Sequence, residues 1–370
     1  FGRYRSIQAG GRIDWKLGGT TLTYIPSFTD YKIRDNRGVL TIPFTVDIDI
    51  HQHTHELRAA GKIGDNLDWL AGGFYSYNKS PGFAYLGDYL GGFDIVNRTA
   101  GEALFGQVDY SPVPGLKLTA GGRYSWDRMD ADHAALIVPA GTTPQTAAFL
   151  PFTAHPRWQH FDWKLGAQME VGPASLIYAN AQTGYAPGGY AYLEAGKALP
   201  SQTMIGYTAG TKNRFVDGTL QLNAELFYYE YKNYTLTYND GPLQVTQGLP
   251  KSRFYGAQID SVWAPAKNTT LTLGVSLLNA TIRELQIGSV NFKGYEMPFA
   301  PKLTVSAGFQ QGFDLASGAR ISARGDLYYS GAYWNIYNHQ GDLHQDGYAK
   351  IDASITYTDP QDRFELSLWG

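Results

Sequence analysis

The 370-residue sequence contains no cysteine, so neither a disulfide framework nor a thiolate metal centre can form. It has no apolar run approaching the ~18 residues of a membrane-crossing helix. Its formal net charge is only -3, which excludes the basic field that a nucleic-acid partner requires. No Gly-x-Ser-x-Gly elbow, phosphate-binding Walker loop or His-Glu-x-x-His pair occurs, and no resident cofactor is expected. The opening "FGRYRSIQAGG" is not a signal peptide and reads as the start of a strand. What the chain has in quantity is tyrosine (27), glycine (43) and aromatics at 14%. That mixture favours strands, tight turns and interfacial aromatic belts.

Alternation of apolar and polar residues recurs along the chain. In "VDGTLQLNAELFYYEYKNY" one face carries Leu220, Leu222, Ala224, Leu226 and Tyr228, and the other Gln221, Asn223 and Glu225. The polar face then turns aromatic at Phe227, Tyr229 and Tyr231. "TLTLGVSLLNA" sets Leu271, Leu273, Val275 and Leu277 against Thr270, Thr272 and Ser276. Period two over ten or so residues is a half-buried strand. About sixteen such segments follow one another, beginning near 6, 20, 53, 67, 102, 116, 159, 174, 203, 219, 252, 269, 301, 319, 347 and 363.

The connections alternate too. Every second one is a short turn, such as "LGGT", "SPVPG", "VDG" or "LASG", where Gly supplies positive φ and Pro or Asp presets the bend. The intervening ones read as longer loops near 30–52, 79–98, 129–158, 187–201, 284–299 and 332–346, with a shorter one near 239–251. Short turns at one end and loops at the other mark a membrane-spanning antiparallel up-and-down β-barrel. Strands of ten or more residues suit a tilted crossing of the bilayer, and aromatics such as Trp15, Tyr75, Tyr124, Trp126, Tyr228 and Trp263 cluster near strand ends as interfacial girdles do. On this reading Leu220, Leu222, Ala224 and Leu226 face lipid. Gln221, Asn223 and Glu225 face the lumen, and the switch at Phe227 marks the strand leaving the membrane.

Several stretches resemble the barrel of TonB-dependent outer-membrane receptors. Gly184, Tyr185, Pro187, Gly188 and Gly189 match the family's strand-end motif. Tyr207, Gly210 and Lys212 match the strand that follows, with Thr208 where the family usually has Glu. "THELRAAGKIGDNLDWLAGGFYSY" is similar to the Glu-Leu-Arg strand and its hairpin, and "GYAKIDASITYTDPQDRFELSLWG" to the penultimate hairpin. The resemblance covers nearly the whole chain. It implies that residues 1–370 are part of a 22-stranded plugged barrel, lacking the plug, roughly five leading strands and the last one. It implies a Gram-negative outer-membrane location, with bilayer and lipopolysaccharide around the wall and contact with TonB through a plug. It further implies energised import of a scarce bulky nutrient, such as a siderophore, cobalamin or glycan. A passive sixteen-strand porin is the alternative, and an outer-membrane enzyme or adhesin a more distant one.

Candidate site residues follow from the loops, because a rigid scaffold lets loop tips carry recognition. Tyr190, Tyr192, Tyr333, Trp334 and Tyr337 could stack on an aromatic, sugar or chelate ligand, or pack the loops. His51, His53 and His55 alternate and share one face, which makes them the one metal candidate; no metal site is expected, because no acid or thiol accompanies them. His339 and His344 read as loop residues. Asp127 with Asp130 or Asp132 is the nearest approach to a catalytic carboxylate pair; Asp130 and Asp132 read as part of a long loop, and no catalysis is expected. Arg12, Arg58, Arg123, Lys164, Asp260 and Arg324 are lumen charges expected to form ion pairs or to meet a plug.

Overall fold

The computed structural model describes residues 2–39, 42–85, 92–135, 151–191, 196–240, 243–287, 289–339 and 343–370. Among them there is no helix, and 18 strands join one antiparallel sheet in which chain neighbours pair. The first span is broken into β1 (Gly2–Gly10) and β2 (Ile13–Leu17), both laddered on β3 (Thr20–Val39). Hairpins continue through β4 (Ile42–Ile63), β5 (Leu67–Tyr85), β6 (Gly92–Val113) and β7 (Leu116–Ala135). The next span is again in two pieces, β8 (Phe152–Ala154) and β9 (Arg157–Gly172), followed by β10 (Ser175–Ala186). A small ribbon of β11 (Tyr190–Ala191) and β12 (Lys197–Ala198) precedes β13 (Gln202–Phe215), β14 (Leu220–Asp240), β15 (Leu243–Ala266) and β16 (Thr269–Glu284). Ribbon β17 (Gln286–Ile287)/β18 (Val290–Asn291) leads to β19 (Leu303–Asp314) and β20 (Arg320–Ser330). Ribbon β21 (Tyr333–Trp334)/β22 (His344–Gln345) leads to β23 (Tyr348–Thr358) and β24 (Glu365–Trp369). Taking the broken spans as one each, the wall follows the sixteen segments read from the alternation.

The registers confirm the face assignment. Leu226 lies opposite Ala209 and Ala257, and Leu273 opposite Ala307. Side chains on this outward face are exposed despite being apolar: Leu226 is 64% exposed and Leu104 61%. A soluble sheet would not leave such a band bare; a hydrocarbon layer is its natural solvent. The inward face is polar at the same height. There the Tyr178 hydroxyl donates to Glu225 Oε2 at 2.7 Å, and the Lys212 ammonium stands over the Tyr178 ring.

The expected loops at 30–52, 79–98 and 239–251 are instead the upper parts of paired strands. The β3–β4 ladder runs to Val39↔Ile42, β5–β6 to Tyr85↔Gly92, and β14–β15 to Asp240↔Leu243. With 20, 22 and 24 residues in β3, β4 and β15, these strands are about twice the 9–11 residues that cross a bilayer. The reason the alternation reads as a strand end is that its phase inverts. About ten residues above the short turns, a bilayer's width away, the outward face becomes charged and the inward face apolar. In β4 Asp47, Asp49 and His51 point outward and Ile48 and Ile50 inward; in β7 Arg128, Asp130 and Asp132 point outward and Met129 and Ala131 inward. In β14 the outward series passes from Tyr228 to Glu230 and Lys232, while Tyr229 and Tyr231 face inward. Water has replaced lipid on the outside, and the apolar side chains pack into the mouth.

Outward ion pairs line this upper zone. Arg34 Nη1 meets Asp49 at 2.7 Å and also contacts Asp47; Arg98 meets Asp132 at 2.7 Å. The Arg34 guanidinium, through its hydrogen bond, holds the Asp49 carboxyl below the usual carboxylate range. At the opposite rim the short turns rely on backbone geometry. Gly115 takes φ 81, a region closed to most side chains, and its carbonyl accepts from Glu170 N at 2.8 Å. Asp314 gathers Lys267, Asn268 and Arg320 at 2.9, 3.0 and 3.0 Å, tying two adjacent turns together.

Candidate functional site: the mouth of the barrel

Above the membrane zone the inward aromatics form a wall. Phe227 and Tyr229 stack at 5.3 Å, and Tyr231 meets Phe254 edge-on at 5.2 Å and Tyr234 at 5.6 Å. Just above it the β14–β15 hairpin is kinked. Asn233 takes φ 54, its side chain donates to the Ser201 carbonyl at 3.1 Å, and the ladder skips from Lys232↔Lys251 to Tyr234↔Leu249. One rung, Asn233 opposite Pro250, is left unpaired with the register unchanged, since Pro has no N–H to give, and a left-handed Asn bends a strand locally. The bend seats Leu249, 1% exposed, in a core with Ile282, Phe292, Met297 and Tyr337. The 292–297 segment is knitted on by backbone bonds from Ile282 N to Tyr295 O (2.8 Å) and from Met297 N to Ala280 O (3.0 Å). The loops after β16 and β20 therefore form a packed cap rather than free strings.

A second, smaller core lies across β7. Ala131, Ala154 and Tyr190 are buried together against Phe152 and Ile95. His133 stacks on Phe152 with centroids 4.8 Å apart, and burial pushes its imidazole pKa down. On the outward side of the same strand His155 Nδ1 and Arg157 reach Asp130 at 2.9 and 3.3 Å. The His155 bond leads in holding that carboxyl below its usual range.

The four described loop aromatics of the sequence reading are not brought to one place. Tyr190 is buried, with its hydroxyl donating to Asn97 Oδ1 at 2.8 Å. Tyr337 is 4% exposed inside the cap core. Tyr333 and Trp334 form the β21 ribbon and remain partly exposed. Trp334 lies flat on His339 at 4.5 Å and meets His344 edge-on at 4.7 Å; the other face of His339 stacks on Tyr295 at 4.8 Å. Tyr192 lies outside the described residues. Sequence reasoning missed the cap residues Leu249, Ile282, Phe292 and Met297. Their signal was the inverted phase: apolar residues on the inward face beyond the aromatic switch.

Asp130 and Asp132 belong to β7 rather than to a loop, on the face opposite Asp127, so the carboxylates are not gathered into a pair. The lumen charges are largely engaged. Arg12 pairs with Asp14 (2.8 Å), Arg58 with Glu56 (3.3 Å) and Arg324 with Asp326 (2.6 Å), while Arg123 lies over the Phe74 and Phe105 rings. Lys164 and Asp260 face the lumen from β9 and β15. His51, His53 and His55 point outward, beside Tyr24, Tyr75 and Tyr77. Among the described residues no three His, Cys, Asp or Glu side chains stand close enough to hold one metal ion.

A wall with a lipid-facing belt, short turns on one rim and a packed, aromatic mouth on the other defines a membrane β-barrel of the outer-membrane type. The family model for the TonB dependent receptor-like β-barrel matches residues 2–370, and the chain belongs to that family. Among solved structures it is similar to the ferric yersiniabactin uptake receptor FyuA from Yersinia pestis, with TM-score 0.78 and 16% identity over 99% of this chain and 55% of that one. The siderophore receptor PiuA from Acinetobacter baumannii gives TM-score 0.70 and 16% identity over 100% of this chain and 60% of that one. The ferric citrate transporter FecA in its unliganded form gives TM-score 0.74 and 14% identity over 99% and 56%. At these identities the likeness speaks for the fold, and the chain spans a little over half of each protein's length.

Proposed function

We propose that this chain is the barrel of an outer-membrane receptor that captures a scarce, bulky nutrient at its mouth and imports it with energy supplied through TonB and a plug domain. The ligand class the mouth fits best is a metal chelate of siderophore type. The observation that carries the reading is the packed aromatic mouth on a family barrel matched over residues 2–370. Stacked rings such as Trp334 and Tyr333 suit a flat, partly aromatic ligand, and the similar structures include receptors for ferric siderophores and ferric citrate. Tyr190 and Tyr337 serve the mouth by fixing its loops, with Trp334 and Tyr333 offering surface to the ligand.

The test is uptake of labelled ferric chelates by cells expressing the full receptor, with TonB present and absent. TonB-dependent accumulation of at least one chelate is the expected result. Accumulation that ignores TonB, together with a steady open conductance in planar bilayers, would instead establish a passive channel.

A further inference from the structure

The outward histidine row on β4 is not used by the transport reading, and its geometry is specific. His53 and His55 are two apart on one strand face, with ring centroids 5.5 Å apart and planes tilted by 56°. Two imidazoles sharing one ion at metal–nitrogen distances of about 2.0–2.1 Å place their centroids roughly 5 Å apart. The rings thus stand near chelating distance without movement of the strand. His55 Nδ1 is 2.8 Å from the Tyr24 hydroxyl. If Nδ1–H donates to that oxygen, Nε2 carries the free lone pair, which is how an outer partner fixes a ligating histidine. His53 has no hydrogen-bond or ion-pair partner among the described residues; besides His55, its ring meets Tyr77 at 5.4 Å and Tyr75 at 5.9 Å. The next rung, His51, is occupied by Asp30 at 3.0 Å.

The position matters as much as the spacing. The pair sits where the outward face of β4 changes from Leu57 and Ala59 to His51, Asp49 and Asp47, the upper edge of the lipid belt. Water is at hand there to complete a coordination shell.

We propose that His53 and His55 form a two-imidazole chelate for a borderline first-row divalent cation, with Cu2+ the strongest binder, on the outer wall of the barrel and apart from the transport path. Water supplies the remaining ligands, and Tyr24 is a positioning residue that sets the tautomer of His55.

The experiment is a Cu2+ titration of the full receptor in detergent micelles near neutral pH, read by electron paramagnetic resonance for nitrogen couplings. The wild type is expected to give one saturable Cu2+ signal with two equivalent-type nitrogens. His53→Ala or His55→Ala should abolish it, and Tyr24→Phe should weaken it about tenfold or more. His155→Ala, an exposed histidine elsewhere, should leave it unchanged. No saturable signal in the wild type, or one that survives His53→Ala with His55→Ala, would overturn the proposal. Barrel integrity in each variant is checked by heat-modifiable migration on gels. Should the variants fail to fold, carbethoxylation of wild-type histidines mapped by mass spectrometry decides the matter. Selective protection of His53 and His55 by Cu2+ supports the chelate, and protection no greater than that of His155 refutes it.

Discussion

The lower and upper halves of β14 contain the same kind of strand in opposite solvents. Below, Leu222, Ala224 and Leu226 face outward and Asn223 and Glu225 inward; above, Glu230 and Lys232 face outward and Tyr229 and Tyr231 inward. The backbone ladder is continuous through the change, so pairing is indifferent to it. What changes is where water and lipid lie. In the lower half stability comes from matching an apolar belt to hydrocarbon. In the upper half it comes from burying inward residues under folded-in loops, as in a soluble core. The comparison makes the upper half the part that can be specialised, because its interior is a private core facing the mouth.

The largest expected effect tests that upper core. Ile282 is fully buried between β15, the 292–297 segment and Tyr337. Ile282→Ala should cost the cap about 2–5 kcal/mol, the range for truncating a buried aliphatic side chain. Hydrogen exchange of 292–297 should quicken, while the lower strands keep their protection. Unchanged exchange in the cap would show that the loops are held by their backbone bonds alone.

Next comes the lower belt. Leu222 and Leu226 flank Ala224, the middle of the outward apolar series Leu220 to Tyr228 on β14, and Leu222→Arg or Leu226→Arg should each destabilise the barrel by up to ~2–4 kcal/mol. Asn223→Arg, facing the lumen, should be milder than Leu226→Arg. Folding free energies measured in lipid vesicles would check the order, and equal costs for positions 226 and 223 would break the face assignment.

Ligand capture should be more modest. Trp334→Ala removes one partly exposed stacking ring worth about 0.5–1.5 kcal/mol beyond its burial, so affinity for a bound chelate should fall by up to about tenfold. Tyr337→Ala should also weaken binding, but with faster cap exchange, because Tyr337 is buried. Equilibrium binding to receptors in outer-membrane preparations separates the two; unchanged affinity in Trp334→Ala would remove it from the site.

Acid should loosen the second mouth core. His133 titrates below its ordinary value because burial disfavours the charged ring. The stabilising preference for the neutral form is fully present above the unfolded-chain value of about 6.5 and is lost as pH falls toward the depressed folded value. Proteolytic nicking near 152–154 should therefore increase at acid pH, and His133→Phe should remove that dependence. A wild type whose nicking rate is flat with pH would show that the core tolerates the charged ring.

The wall was legible because period two and turn chemistry are local. "TLTLGVSLLNA" and "VDG" need no distant partner to be understood. The upper strands were misread as loops because a lipid-facing criterion assumes one outer solvent, although "TVDIDIHQHTHEL" keeps its alternation throughout. The mouth was harder still. That Tyr190 and Tyr337 are packing residues while Trp334 is partly open depends on which loops fold over them. Asn233 reads as an ordinary polar residue, and only its φ of 54 shows where the hairpin bends.

The smallest effect is expected at an exposed ion cluster on the short-turn rim. Asp314 is exposed, and its three partners, led by the Lys267 hydrogen bond, hold its carboxyl down at about 2. A depressed carboxylate stabilises the fold above its ordinary pKa and loses that contribution only as pH falls through about 2. Across the neutral range the Asp314 cluster should therefore be insensitive to pH. It should also be weak, since exposed ion pairs lose most of their attraction to water and salt. Asp314→Asn should leave the unfolding temperature in detergent unchanged within error at moderate salt and lower it slightly at low salt. Tight turns fixed by Gly115 and Asn268 do not need the carboxylate to close. A large loss of stability in Asp314→Asn at moderate salt would show that the two rims are held by the same means, and the contrast between them would fail.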